Sequence, residues 1–79
     1  MRIDKFLKVS RIIKRRTIAN EACDAGRVML NEKVVKAGAE VKVGDMIEIR
    51  FASNVTRVEV LSLKESTKKE DAGQMYRSV

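Results

Sequence analysis

The residues of this sequence whose types and spacing could do chemistry are cations. Arg2, Lys5, Lys8, Arg11, Lys14, Arg15 and Arg16 lie close together at the start of the chain, first about one helical turn apart and then as an adjacent triplet. Arginine can bond a phosphate through two parallel N–H groups and lysine supplies a point charge, so the chemistry on offer is the binding of phosphate. Residues 1 to 27 carry eight basic side chains against three acids (Asp4, Glu21, Asp24), a local net of +5, whereas residues 28 to 79 balance nine against eight, a net of +1. The charge is concentrated in one third of the chain. No acid lies within four positions of Lys14-Arg15-Arg16 on either side, and bound phosphate oxygens would relieve that repulsion, helped by the peptide N–H groups that open the following helix. A solvated connector is the plainer reading of the triplet, as a solvated helix face is of Arg2, Lys5 and Lys8.

The rest of the composition narrows the partner. A formal charge of +6 over 79 residues and a pI near 9.8 suit a polyanion, with nucleic acid ahead of a membrane surface. With only Phe6, Phe51 and Tyr76 as aromatics, base stacking is not expected to be the main mode of binding. Histidine is absent and Cys23 is the one cysteine, so neither a disulfide framework nor the usual zinc ligand sets are available. There is no glycine-rich phosphate loop and no serine in a nucleophile elbow, so no enzyme activity and no cofactor is expected. The opening RIDKFLKVS is interrupted by charge throughout, and no apolar run approaches the roughly 18 residues of a membrane span. The expectation is a cytoplasmic protein in a reducing compartment.

These cations need elements to position them. Ile3, Phe6 and Leu7 fall at i, i+3 and i+4 and predict a short amphipathic helix over 2–9, with Asp4 in its first turn, where a carboxylate suits the helix dipole. Lys5 and Lys8 extend a row begun by Arg2, one turn apart on one face. Thr17 is the expected N-cap of a second helix running through Ala25, with Gly26 at C′ and an apolar face of Ile18, Ala19, Ala22 and Cys23. Cys23 then reads as a small buried hydrophobe. The pattern next turns to strands: Val28 and Leu30, a turn at Asn31-Glu32-Lys33, and Val34-Val35. Val41 and Val43 lead into a Gly44-Asp45 turn, after which Ile47, Ile49 and Phe51 alternate with Met46, Glu48 and Arg50. A last strand is expected at Arg57 to Leu63. The order predicts an α+β domain over residues 1–63, two short N-terminal helices packed on a small, mostly antiparallel sheet of four to five strands. Residues 64–79 read as a polar C-terminal tail, disordered or a short helix, with Met75 and Tyr76 its apolar candidates for a partner contact.

The order RIDKFLKVSR, KRRTIANEACDAGRVMLN and VKVGDMIEIRF resembles the RNA-binding domain named after small-subunit ribosomal protein S-four, an alpha-L motif domain. Arg2, Asp4, Lys5, Leu7, Arg16, Ala19, Gly26, Val28, Asn31, Gly44 and Asp45 match its pattern over about residues 1 to 52. A stand-alone copy followed by TKKEDAGQMY is similar to the RqcP family of bacterial ribosome quality-control factors, with the heat-shock S-four-type proteins as more distant relatives. That resemblance implies binding of large-subunit ribosomal RNA and peptidyl-tRNA on a stalled subunit, and work with the tailing factor RqcH to extend the stalled chain with alanine. It puts most weight on Arg2, Lys5 and Arg16. One departure is plain: the family's hairpin often carries Asn-Gly, where this chain has Asn31-Glu32, and glutamate meets steric resistance at positive φ.

The reading that follows is a monomeric, non-enzymatic factor that recognises RNA shape more than sequence. A general ribosome-recycling or assembly factor of the heat-shock type is the alternative within that class. A DNA-binding helix-turn-helix regulator is the alternative outside it, opposed by Glu21 and Asp24 on the would-be recognition helix, where Asn20 is the main polar base reader. A near-neutral sheet and tail could also contact a protein partner while the helices hold RNA.

Overall fold

The computed structural model describes residues 1–51, 53–63 and 73–79. Helix α1 spans Ile3–Val9 and buries Ile3, Phe6 and Leu7 completely, as their spacing requires. Asp4 is buried with them. The chain leaves α1 through Ser10 and then Arg11, whose φ of 62° is left-handed; the Arg11 N–H donates to Lys8 O at 3.0 Å and that of Ile13 to Leu7 O at 3.0 Å. This tight exit tucks Ile13 into the core and leaves Arg11, Lys14 and Arg15 exposed.

Helix α2 spans Arg16–Asp24. It starts two residues earlier than a Thr17 cap would place it: Arg15, extended at φ −124° and ψ 133°, holds the N-cap position without a side-chain bond, and its carbonyl accepts from the Ala19 N–H at 3.1 Å. Ala19, Ala22 and Cys23 face the core, but Ile18, expected with them, is 42% exposed. Three small side chains let α2 lie close against α1. The helix ends as the sequence predicts. Gly26 takes φ 77°, its N–H donates to Cys23 O at 3.0 Å, and that of Arg27 donates to Ala22 O at 3.0 Å, the paired bonds of a Schellman cap.

The sheet has five strands: β1 Val28–Leu30, β2 Lys33–Val34, β3 Met46–Phe51, β4 Asn54–Val60 and β5 Tyr76–Ser78. Their spatial order is β2-β1-β3-β4-β5, with every neighbouring pair antiparallel. Leu30 pairs with Lys33, so the β1–β2 loop is Asn31-Glu32, at φ 50° and 70°. This is the type I′ geometry that Asn-Gly would adopt, held here with a glutamate in glycine's place. Asn31 fixes it: its Oδ1 accepts from the Met46 N–H at 3.0 Å and its Nδ2 donates to Asp45 Oδ1 at 3.1 Å. Asp45 Oδ2 in turn accepts from the Lys42 N–H at 2.8 Å, so the Gly44-Asp45 turn is fastened to the hairpin.

Along β3, Ile47 and Ile49 are buried beneath the helices, whereas Phe51, expected on the same face, is 38% exposed where the strand ends opposite Asn54. The fourth strand lies at 54–60, three residues before the expected 57–63 at each end, with Val58 and Val60 in the core. The tail is more than a polar appendage. Met75 is fully buried, its carbonyl accepts from the Leu61 N–H at 2.7 Å, and residues 76–78 pair with β4 as a strand, where the sequence predicts a disordered tail or a short helix. Residues 64–72, the rest of that expectation, lie outside the described residues.

Candidate nucleic-acid interface

The centre of the basic surface is a carboxylate. Asp4 sits in the first turn of α1 with its side chain only 2% exposed. Arg2 Nε donates to its Oδ1 at 3.2 Å and Arg2 Nη2 to Oδ2 at 3.3 Å, a two-pronged pair. Arg16 Nη2, from the first turn of α2, donates to Oδ1 at 3.3 Å, and Asn20 Nδ2, one turn further along α2, donates to Oδ2 at 3.4 Å. The Lys5 N–H completes the set at 2.8 Å. Burial alone pushes the Asp4 carboxyl pKa up, but the bonds from Arg16, Asn20 and the Lys5 backbone, with the Arg16 charge, outweigh it and hold the group below the usual aspartate value.

This arrangement brings together two cations from separate helices. Arg2 and Arg16 flank one carboxylate, and two guanidinium groups against one carboxylate leave a net positive charge. Both remain about half exposed, at 51% and 46%, so N–H groups still face solvent around a shallow depression of about 460 Å3 lined by Arg2, Asp4, Arg16, Thr17, Asn20 and Glu21. Lys14 and Arg15 adjoin Arg16 in the chain, Lys5 and Lys8 continue the row from Arg2 along α1, and Arg11 is tied by its backbone to Lys8. Lys5 is half-buried. Lys8, Arg11, Lys14 and Arg15 are exposed and form no ion pair with any described residue.

The sheet carries arginines of a different kind. Glu48 holds Arg50 at 2.6 Å and Arg57 at 2.7 Å, and its carboxyl pKa is lowered by those bonds, Arg57 first; Glu59 holds Arg77 at 2.6 Å. Surface charge there is matched within the sheet, while the helical surface keeps an excess. Cys23 is buried and desolvation, with Asp4 and Asp24 nearby, pushes its thiol up to about 11, so it offers no nucleophile. Among the described residues no cluster of acids or cysteine could hold a metal ion, and no helix is long and apolar enough to cross a membrane.

Sequence reasoning missed the joint role of Asp4 and Asn20. By type and position Asp4 is a helix-start charge, and Asn20 has a role only in the DNA-binding alternative, as a base reader. A signal was present: Asn20 lies at i+4 from Arg16, hence on the same face of α2. What the sequence could not supply was the approach of α1 that brings Asp4 under both.

Comparison with known proteins identifies the family. The S4 domain model matches residues 1–47, which contain both helices and the first hairpin. The chain is 53% identical over 79 residues to the RQC P-site tRNA stabilizing factor of Streptococcus pneumoniae, spanning all of this chain and 90% of that protein. It is 53% identical over 76 residues to the factor of the same name from Bacillus subtilis, spanning 96% and 88%. Its fold superimposes on Vibrio cholerae Heat Shock Protein 15, described as trimeric, with a TM-score of 0.92 at 25% identity over all of this chain and 81% of that one. With a family model covering more than half its length and relatives this similar end to end, the chain belongs to the S4-domain family of RQC P-site tRNA stabilizing factors.

Proposed function

We propose that the protein is a non-enzymatic, cytoplasmic RNA-binding factor that docks on the large ribosomal subunit, where it contacts ribosomal RNA and the peptidyl-tRNA of a stalled chain. The observation that carries this reading is the convergence of Arg2 and Arg16, from two helices, on the buried Asp4 beside the unpaired Lys14-Arg15 turn. The names of the relatives place a tRNA in the P site as the ligand of those proteins, and the helical surface of this chain has the charge and shape to meet a sugar-phosphate backbone. In this reading the protein acts as a monomer and supports extension of the stalled chain by the tailing factor RqcH. Arg2, Lys5, Lys8, Arg11, Lys14, Arg15 and Arg16 bind phosphates and set the register on the RNA, with Arg2, Lys5 and Arg16 central.

The mechanism is positional. A carboxylate beneath two guanidinium groups holds them before RNA arrives, so less side-chain freedom is lost on binding. If about five phosphates are neutralised, log affinity falls with log salt at a slope of about −3.5 to −4.5. The test is sedimentation of the tagged protein with bacterial large ribosomal subunits through a sucrose gradient, wild type beside Arg16→Ala. Co-migration of the wild type and its loss in the variant are the expected results. Migration of both at the top of the gradient would overturn the reading.

A further inference from the structure

The outer face of the sheet, away from the helices, carries a groove of about 550 Å3. Its place follows from the strand alternation. Ile47, Ile49, Val58 and Val60 are buried, so the residues that alternate with them in β3 and β4, among them Met46, Glu48, Arg50, Arg57 and Glu59, point outward. Met29 of β1 lies opposite Glu48 and joins that face. Met29 and Met46 supply the apolar lining. Asn31 bonds Met46 and so puts the neighbouring Glu32 at that end of the groove, while Arg57, opposite Glu48, and Arg50, two residues beyond it, stand toward the other.

The charge of this face does not suit a polyanion. Arg50, Arg57 and Arg77 are matched by Glu48, Glu59 and Glu32, and a phosphate backbone laid along the groove would pass the Glu32 carboxylate. Its residue types are those that protein interfaces favour: methionine adapts its shape to a partner, and arginine offers a rigid fork of donors. At the basic end a single carboxylate, Glu48, serves two guanidinium groups that stay 59% and 64% exposed, which leaves charge there for one more carboxylate. We infer that this face is a docking surface for a protein, and that the segment it takes presents an apolar side chain to Met29 and Met46 and an aspartate or glutamate to Arg50 and Arg57. The helices pack on the opposite side of the sheet, so RNA and protein are held at the same time. The inference rests on the reading that RNA occupies the helical surface.

The test is photo-cross-linking in growing bacteria that make the full chain with a benzophenone amino acid in place of Met46 or, separately, of Lys14, the linked species being identified by mass spectrometry. From position 46 the expected product is one protein, linked within a segment that holds an apolar residue near a carboxylate. Its yield should fall at least about fivefold when Arg50→Ser and Arg57→Ser are combined. Arg50→Ser alone, which leaves Glu48 its bond to Arg57, should act in the same direction without risk to the fold. Titrated against purified large ribosomal subunits over a salt series, both variants are expected to keep the wild-type slope, because neither arginine meets a phosphate. RNA or a second copy of this chain as the sole product from position 46 would overturn the inference. So would a protein product that the substitutions leave unchanged, or no product while position 14 links to RNA. A slope shallower by about two in the double variant would overturn it by placing both arginines on phosphates. Absence of an RNA product from position 14 would instead overturn the reading of the helical surface.

Discussion

Replacing Asp4 with asparagine sets two effects against each other that a charge count alone would not separate. The variant keeps the shape of the side chain but removes the negative charge beneath Arg2 and Arg16 and turns one acceptor into a donor facing donors. Hydrogen bonds to charged groups contribute about 1.5–3 kcal/mol each when buried. Both arginines are half exposed and can rehydrate, so the pairs together are discounted to a destabilisation of about 2 kcal/mol. For a domain of this size that lowers Tm by roughly 8–16 °C. For RNA binding, removing a carboxylate about 5 Å from a phosphate relieves a repulsion of only about 0.8 kcal/mol in a water-like dielectric. Freeing two arginines that must be ordered again on binding costs about 0.5–1.5 kcal/mol each. Loss of ordering outweighs relief of repulsion, and Asp4→Asn should bind several-fold more weakly although the surface has become more positive. The assay is a thermal melt with a titration against large ribosomal subunits at fixed salt, below the variant's melting point. Tighter binding, or an unchanged melting point, would refute the role given to Asp4.

Three other outcomes follow from the same geometry. Because the Asp4 pKa is lowered by folding, its contribution is complete above the unfolded value of about 3.9 and is lost as pH falls through the lower folded value; the stability gap between the wild type and Asp4→Asn should therefore close on acidification below about pH 4, as chemical denaturation at a series of pH values would register. Met75→Ala should cost about 2–5 kcal/mol by opening a cavity in the core, measured by urea unfolding, and an effect under about 0.5 kcal/mol would mean the C-terminal strand is not docked. Asn31→Ala removes two side-chain bonds and the residue type that tolerates positive φ, and should lose about 1–3 kcal/mol in the same assay with little change in RNA affinity.

Local signals were legible where local physics decides the outcome. The i, i+3, i+4 spacing of Ile3, Phe6 and Leu7, the glycine at 26 and the alternation of Ile47 and Ile49 each specify a structure within a few residues, and each is found. The errors arise where a distant partner decides. Thr17 is a good cap by type, yet the ladder of α2 begins at the Arg15 carbonyl, and Arg16 in its first turn is bonded to Asp4 of the other helix. Ile18 matches an apolar helical pattern but is 42% exposed, while Ala19, Ala22 and Cys23 are the residues of α2 that are buried. No period in GQMYRSV announces a strand, since β5 owes its conformation to its pairing with β4. At the site, the cations could be read from composition, but the carboxylate that gathers two of them could not, because ordinary helix-start chemistry accounts for an aspartate at position 4.

The placement of Asp4 also ties the interface to the core. Ile3, Phe6 and Leu7 fix the rotation of α1 by burying its apolar stripe, and Asp4, the residue after Ile3, is thereby held at the seam with α2. The Ile3 N–H donates to Ala39 O at 2.8 Å and the Phe6 N–H to Arg2 O at 2.9 Å, so the start of the helix is anchored on both sides of that carboxylate. Arg2 and Arg16 are then positioned by a side chain that cannot move without disturbing the packing. A flexible basic tail with the same cations would have the same charge but would lose conformational freedom on every encounter with RNA. At this surface the small aliphatic core holds one carboxylate still, and through it the two arginines that the proposed reading brings to the phosphates.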